Sequence, residues 1–505
     1  MSTLKKLAGQ TAVYGLTNIV GRLLNYLLVP YYTYLFDPKE NAPIQIVYAW
    51  IPFLSILYTY GMETAFFRFA QEPAKRIQVI STASLSLLFS STFFTLAMLV
   101  FYKPLASFMS ISQHPEYVIY CSLILMFDTL AVIPFAQLRL QNKSMKYGTF
   151  KILNILINIG LNVFFLSICP TLIKHGYSWV NAIYNPTIGV GYIFISNLIA
   201  SGITCIVLAP QWQQVQWRLD IVLWKEIMHY STPLIIVGLA GMVNETLDRA
   251  FFLPHFLSYT NINDINHAIG VYGNVYKLSI LITLFIQAFR LGAEPFFFQH
   301  AADANAKVMY ARIMKYFVMV VSIMFLAVAM YLSVWKYFLR KPSYWEALPI
   351  VVPLLIANIF LGVYYNLTIW FKLTNQTKVG ASITLITAAL SFILNMVLIP
   401  LLGYYGSAIA TMVCYGVQMV ICYQWGKKYY YIPYAVKKIV AIFVLALLFY
   451  GVYWALVKYI ISPDNIYSLN KNALLLATAL ILLYIFILYR IEYPHIKKLF
   501  GKNKA

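Results

Sequence analysis

TAVYGLTNIVGRLLNYLLVPYYTYLF, residues 11–36, follows Lys5 and Lys6 and holds a single charge, Arg22. A secretory signal has an apolar core of about 7–15 residues and a small-residue cleavage site. This run is longer and lacks such a site, so it reads as a membrane-spanning helix, which needs roughly 20 apolar residues. The rest of the chain repeats the pattern. Of 505 residues, 61% are hydrophobic and 10% charged, whereas about 25% of a soluble domain is charged. That excludes an ordinary soluble protein. No polar, Pro/Gly-rich linker separates domains, so the chain reads as one membrane body. The formal charge of +21 comes from basic blocks that punctuate apolar stretches, which argues for topology rather than nucleic-acid binding.

Working outward from the first span, apolar runs of sufficient length fall at 11–35, 44–68, 79–101, 116–138, 149–169, 188–210 and 227–253. A second group falls at 268–292, 315–335, 346–372, 379–400, 405–425, 436–459 and 472–490, which makes fourteen. Pro52, Pro134 and Pro353 lie inside spans and are candidate kinks. With the N-terminus in the cytoplasm, 25 Lys and Arg residues fall on the cytoplasmic side and 8 on the other. The positive-inside rule therefore places both termini inside. Lys75 and Arg76, Arg139, Lys143 and Lys146, Lys427, Lys428, Lys437 and Lys438, and the tail Lys497, Lys498, Lys502 and Lys504 carry that asymmetry. Lys336, Arg340 and Lys341, on an outer loop, break it.

The chain also repeats itself. Leu54-Ser55-Ile56-Leu57 returns as Leu278-Ser279-Ile280-Leu281, an offset of 224 that also relates Pro30 to Pro254 and Val47-Tyr48 to Val271-Tyr272. Further on the offset becomes 233, relating Leu140-Gln141-Asn142 to Leu373-Thr374-Asn375 and Leu161-Asn162 to Leu394-Asn395. The matches are collinear, which predicts a duplicated six-span unit. Six is even, so both copies enter the membrane in the same sense and are related by an axis along its normal. The expected organisation is an N-lobe over 1–215, a C-lobe over 216–430, and two further spans with a basic tail over 431–505.

Charges inside spans cost roughly 2.5–3.5 kcal/mol each on insertion scales, so each asks for a partner or a wet cavity. Arg22 lies near mid-depth of span one; it reads either as a bridge to Asp128 of span four or as a cavity cation for an anionic substrate. Glu245, Asp248 and Arg249 are spaced i, i+3, i+4 on one face of span seven, where Glu245 is placed to pair with Arg249. The triplet also suits a gate or a cation site. In span eight Lys277 is near mid-depth, too far from either end to snorkel, while Gln287, Arg290 and Glu294 form a stripe toward the cytoplasmic end. Glu63 and Arg68 occupy the equivalent end of span two. The seven histidines show no metal-ligand spacing, and no phosphate-binding G-x-x-x-x-G-K-[ST] loop is present. No metal or cofactor is expected. The five cysteines, Cys121, Cys169, Cys205, Cys414 and Cys422, read as buried structural thiols.

GRLLNYLLVPYYTYLFDP (21–38), LRLQNKSMKYG (138–148), NETLDRAFFLP (244–254) and GVYGNVYKLSILITLFIQAFRLGAEPFFF (270–298) resemble segments of the multidrug/oligosaccharidyl-lipid/polysaccharide exporter superfamily. The resemblance extends over essentially the whole chain and is strongest to bacterial oligosaccharide-lipid flippases of the polysaccharide transporter family. It implies an all-α polytopic fold and transport of undecaprenyl-diphosphate-linked sugars from the cytoplasmic to the outer face of the bacterial inner membrane. Cavity cations would then fall on Arg22, Lys277, Arg290 and Arg249, with Glu63, Asp128, Glu245, Asp248 and Glu294 as gating or ion-coupling acids. Implied partners are the lipid-linked oligosaccharide, membrane lipids, a coupling ion (Na+ or H+) and glycan-assembly enzymes. The drug-extruding branch carries an acid in its first helix where this chain has Arg22, a departure that favours a diphosphate lipid over an organic cation. The lipid II flippase branch shares the span count and the cationic cavity. Two other readings stand beside these: an ion-coupled multidrug exporter using the acids, and a polytopic glycosyltransferase or polymerase with Asp37 or Glu40 as base.

Overall fold

A computed structural model describes residues 3–258, 261–301, 303–462 and 464–501. Lys502 and Lys504 of the expected cytoplasmic tail lie outside the described residues. Backbone amides in a lipid phase must be satisfied internally, and the described residues form helices with no strand. The fourteen long helices are α1 (Thr3–Leu35), α2 (Pro38–Phe69), α3 (Pro73–Val100), α4 (Glu116–Leu140), α5 (Ser144–Lys174), α6 (Gly191–Val207) and α7 (Ile221–Phe256). After them come α8 (Ile262–Gln299), α9 (Ala306–Ala329), α10 (Pro342–Leu373), α11 (Thr377–Leu402), α12 (Tyr404–Tyr429), α13 (Val436–Ile461) and α14 (Lys471–Gly501). Each expected span falls on one of them. Among the described residues twelve are long and apolar enough to cross a membrane; α6 is shorter at 17 residues, and α1 runs for 33. The chain is a multi-pass membrane protein.

Local chemistry explains the interruptions. In α2 the helix breaks at Tyr60 and Gly61, both left-handed at φ 35° and 72°, and the Tyr60 hydroxyl lies 2.6 Å from Ser86 Oγ. Asp37 and Glu40 form a capping box at the start of α2, with Pro38 in its first turn; they satisfy helix-end amides, so their local role is structural. Pro353 is one of the three candidate kinks. It sits in the first α-helical turn, just after a 3₁₀ stretch over Pro342–Ile350, where a missing N–H costs nothing. The cysteines are free, and all but the partly buried Cys205 are buried.

Packing groups the chain into two compact units, residues 1–273 with 395–404, and residues 274–394 with 405–505. In the first unit α4 packs against α2, α3 and α6, and α5 against α1 and α6. One of its cores joins Leu28, Tyr32, Ile44, Phe165, Cys169 and Tyr192. Helix α7 also belongs here, packing on α2 and α3. In the second unit α9 packs against α10, α13 and α14. The expected lobes over 1–215 and 216–430 rest on repetition in the sequence, whereas this grouping describes which residues pack together.

The turns preserve the repeat. Asn142 and Asn375, 233 positions apart, both stand at φ 56°. The turns that contain them close with equivalent bonds, Lys143 N to Leu138 O and Gln376 N to Phe371 O, each 2.8 Å. Asn tolerates the left-handed region better than other side-chain-bearing residues, which accounts for the same residue at the same turn in both copies.

Candidate functional site

In the first unit the acidic end of α7 differs from ideal helical spacing. The helix widens into a π turn over Asp248–Phe252, which adds a residue to the turn and disturbs the i, i+4 relation on which a Glu245–Arg249 pair depends. Arg249 Nη2 donates instead to the backbone oxygen of Glu245 at 2.6 Å, and its Nε approaches Asp248 Oδ1 at 3.4 Å. Asp248 is buried and accepts from the Tyr272 hydroxyl at 2.7 Å and from the Arg249 backbone amide at 2.8 Å. The Glu245 carboxylate is exposed, with no ion pair among the described residues. Near this end α8 lies very close to α2: a Cβ at Gly270 would fall 1.9 Å from the Pro38 carbonyl oxygen.

A second group lies toward the C-terminal ends of α2 and α4. Arg139 Nη1 donates to Glu63 Oε1 at 2.6 Å, and the Arg139 guanidinium lies 4.7 Å from the centre of the Phe67 ring. Arg68, singled out beside Glu63, stacks over Tyr230 at 4.4 Å. Deeper in α4, Asp128 accepts from Ser201 of α6 at 2.7 Å. Lys151 of α5 acts electrostatically on both Asp128 and Glu63 and sits 4.2 Å over the Phe135 ring. Arg22 does not bridge to Asp128. Its side chain is exposed and has no hydrogen bond or ion pair among the described residues.

The second unit holds the densest charged site. Arg290 Nε donates to Glu294 Oε1 at 2.9 Å, and Lys372 Nζ of α10 donates to the same oxygen at 2.5 Å. The Arg290 guanidinium stacks 4.7 Å over Tyr365. Close approach of α8 to α10 makes this possible: a Cβ at Gly362 would fall 2.7 Å from Phe317 and 2.9 Å from Ile286, and Asn358 Nδ2 donates to Ser279 O at 3.0 Å. The end of α10 is held by Trp370, stacked on Tyr429 and donating to Cys422 O at 3.2 Å. Arg290, Glu294, Lys372, Tyr365 and Asn366 line a narrow pocket whose open interior is about 10 Å³. Lys277 is half-buried in α8.

The structure therefore brings Arg290 and Glu294 together, brings Asp248 and Arg249 together, and keeps Arg22 apart from Asp128. Lys151 and Lys372 entered the sequence reading only through the charge asymmetry. Lys372 had a signal: at the 233 offset it aligns with Arg139, one position before the matched Leu-Gln-Asn and Leu-Thr-Asn. Among the described residues no group of three or more His, Cys, Asp and Glu side chains is placed to hold a metal.

The fold has solved counterparts. A lipid II flippase, MurJ, in an inward closed conformation superposes with a TM-score of 0.69 at 13% identity, covering 95% of this chain and 98% of that one. An inward-facing multidrug resistance MATE family transporter of the MOP superfamily gives 0.59 at 13% identity, covering 81% and 94%. The Vibrio cholerae MATE transporter VcmN in its bent form gives 0.54 at 14% identity, covering 84% and 96%. At these identities the likeness establishes the fold. No curated protein matches the sequence. The family model for polysaccharide biosynthesis proteins matches residues 7–299, more than half of the chain, and the chain belongs to that family.

Proposed function

We propose that the protein is a flippase that moves an undecaprenyl-diphosphate-linked oligosaccharide from the cytoplasmic to the outer face of a bacterial inner membrane by alternating access. Arg22 carries this reading. An arginine in an apolar helix is costly, and this one is exposed without a counter-ion among the described residues. A diphosphate supplies the missing anion, since the guanidinium fork matches phosphate oxygens in a bidentate way. Lys277 and Arg290 are further candidate cations on α8, and Asp248 with Arg249 is a candidate gate on α7. Asp128, bonded to Ser201 and within electrostatic reach of Lys151, is the coupling acid for H+ or Na+. The charge asymmetry of the sequence supports a cytoplasmic position for the C-terminal ends of α2, α4, α8 and α10. Glycan-assembly enzymes supply the substrate there.

The test is flipping of a fluorescent lipid-linked oligosaccharide by protein reconstituted in vesicles. Arg22→Ala and Lys277→Ala should each reduce the rate about 10-fold or more, the scale of one charged hydrogen bond, with normal thermal unfolding. Arg22→Lys should retain part of the rate. Wild-type flipping by Arg22→Ala would remove the diphosphate role from α1.

A further inference from the structure

We propose that the cluster at the C-terminal ends of α8 and α10 is the loading site for the substrate diphosphate, and that Glu294 is an internal anion which the diphosphate displaces from Arg290 and Lys372. This deepens the flippase reading and rests on it.

The two copies of the repeat supply the argument. Each has one acid on the earlier helix reaching a cation on the later one: Glu63 to Arg139 at 2.6 Å in the first copy, Glu294 to Lys372 at 2.5 Å in the second. Arg139 and Lys372 are equivalent at the 233 offset. At the 224 offset Glu63 corresponds to Gln287. Glu294 stands seven residues further on, two helical turns, and so on the same face. The copies differ at Arg290. Its counterpart at that offset is Phe66, a fully buried core residue. One carboxylate therefore serves two cations in the second copy, which leaves a net positive charge beside a pocket that both cations line. A structural bridge needs only the single cation that the first copy retains.

A diphosphate suits what the second copy has gained. Arg290 presents a planar fork and Lys372 a point charge, and one carboxylate offers two cations less charge than a diphosphate does. The side chains of Arg290 and Lys372 are 44% and 26% exposed, so both are reachable from the pocket. Asn366 in the pocket wall donates to Gly362 O at 3.0 Å, and its Oδ1 has no hydrogen-bond partner among the described residues. A buried acceptor without a donor is costly, and a sugar hydroxyl next to the diphosphate is a suitable donor. When the headgroup moves on, Glu294 recaptures both cations and resets the site.

The experiment measures binding of farnesyl diphosphate, with farnesol as reference, to the full-length purified protein in lipid nanodiscs. Lys372→Gln should weaken binding about 10-fold and Lys372→Arg should restore most of it. Glu294→Gln should tighten binding by a similar factor, because the competitor is gone, and should slow flipping. If Glu294→Gln unfolds, Glu294→Asp, which shortens the reach by one methylene, should tighten binding in the same sense. Lys307→Gln, which removes a cation stacked on Tyr430, should leave the affinity unchanged. No preference of the wild type for the diphosphate over farnesol would overturn the flippase reading itself. Preference in the wild type with affinity unaltered by Lys372→Gln, or not raised by the Glu294 substitution, would overturn the loading site alone.

Discussion

Asn142 and Asn375 show how one residue can encode a turn. Both sit at φ 56°, where a β-branched side chain is penalised by roughly 1–2 kcal/mol. Asn142→Val and Asn375→Val should each lower stability by about that amount, while the glycine variants should be close to neutral; thermal unfolding in detergent measures both. Asp248 offers a second residue-scale test. It is a buried carboxylate that accepts from Tyr272, so Tyr272→Phe removes a donor and leaves the packing nearly intact. A loss of about 1–3 kcal/mol is expected, and an unchanged melting temperature would show that Tyr272 does not stabilise the carboxylate.

Among the helices, the last pair is joined to the rest of its unit by a buried ion pair. Lys315 of α9 donates to Glu492 of α14 at 2.5 Å, with side chains 7% and 4% exposed. Removing one partner of a buried pair leaves an uncompensated charge and costs about 3–5 kcal/mol, whereas replacing both with apolar residues is often neutral. Glu492→Leu should therefore destabilise α14 strongly, and adding Lys315→Met should restore most of the loss. If the double variant is as unstable as the single, the pair itself holds α14 in place. Lys336, which broke the charge rule, is buried between α9 and α10, 4.3 Å over the Trp345 ring. Burial pulls its pKa below the ordinary lysine value.

For the whole molecule the testable property is orientation. In a variant whose five cysteines are replaced, a new cysteine at Lys143 or Lys428 should resist a membrane-impermeant thiol reagent in intact cells. One at Ser468, in the connection between α13 and α14, should react. Labelling at 143 or 428 before lysis would invert the topology, and with it the assignment of Arg290 and Lys372 to the cytoplasmic loading side.

Apolar run lengths alone determined the helical membrane architecture and the fourteen long helices of the described residues, because a bilayer permits few other ways to satisfy a buried backbone. Collinear matches such as the two LSIL segments predicted a duplication, and Asn142 and Asn375, related by the 233 offset, share one turn conformation. Partner choice among charges was not. The Glu245–Arg249 pairing assumed regular helical spacing, and a π turn at Asp248 altered it. Arg22 and Asp128 matched in depth, but depth is one coordinate of three, and Asp128 met Ser201 instead. Lys372 lay at a span end and read as one more cytoplasmic charge until helix packing set it 2.5 Å from Glu294. Hydropathy is a one-dimensional property that the chain carries locally; an ion pair depends on how two helices are rotated against each other, and only the packed structure sets that rotation.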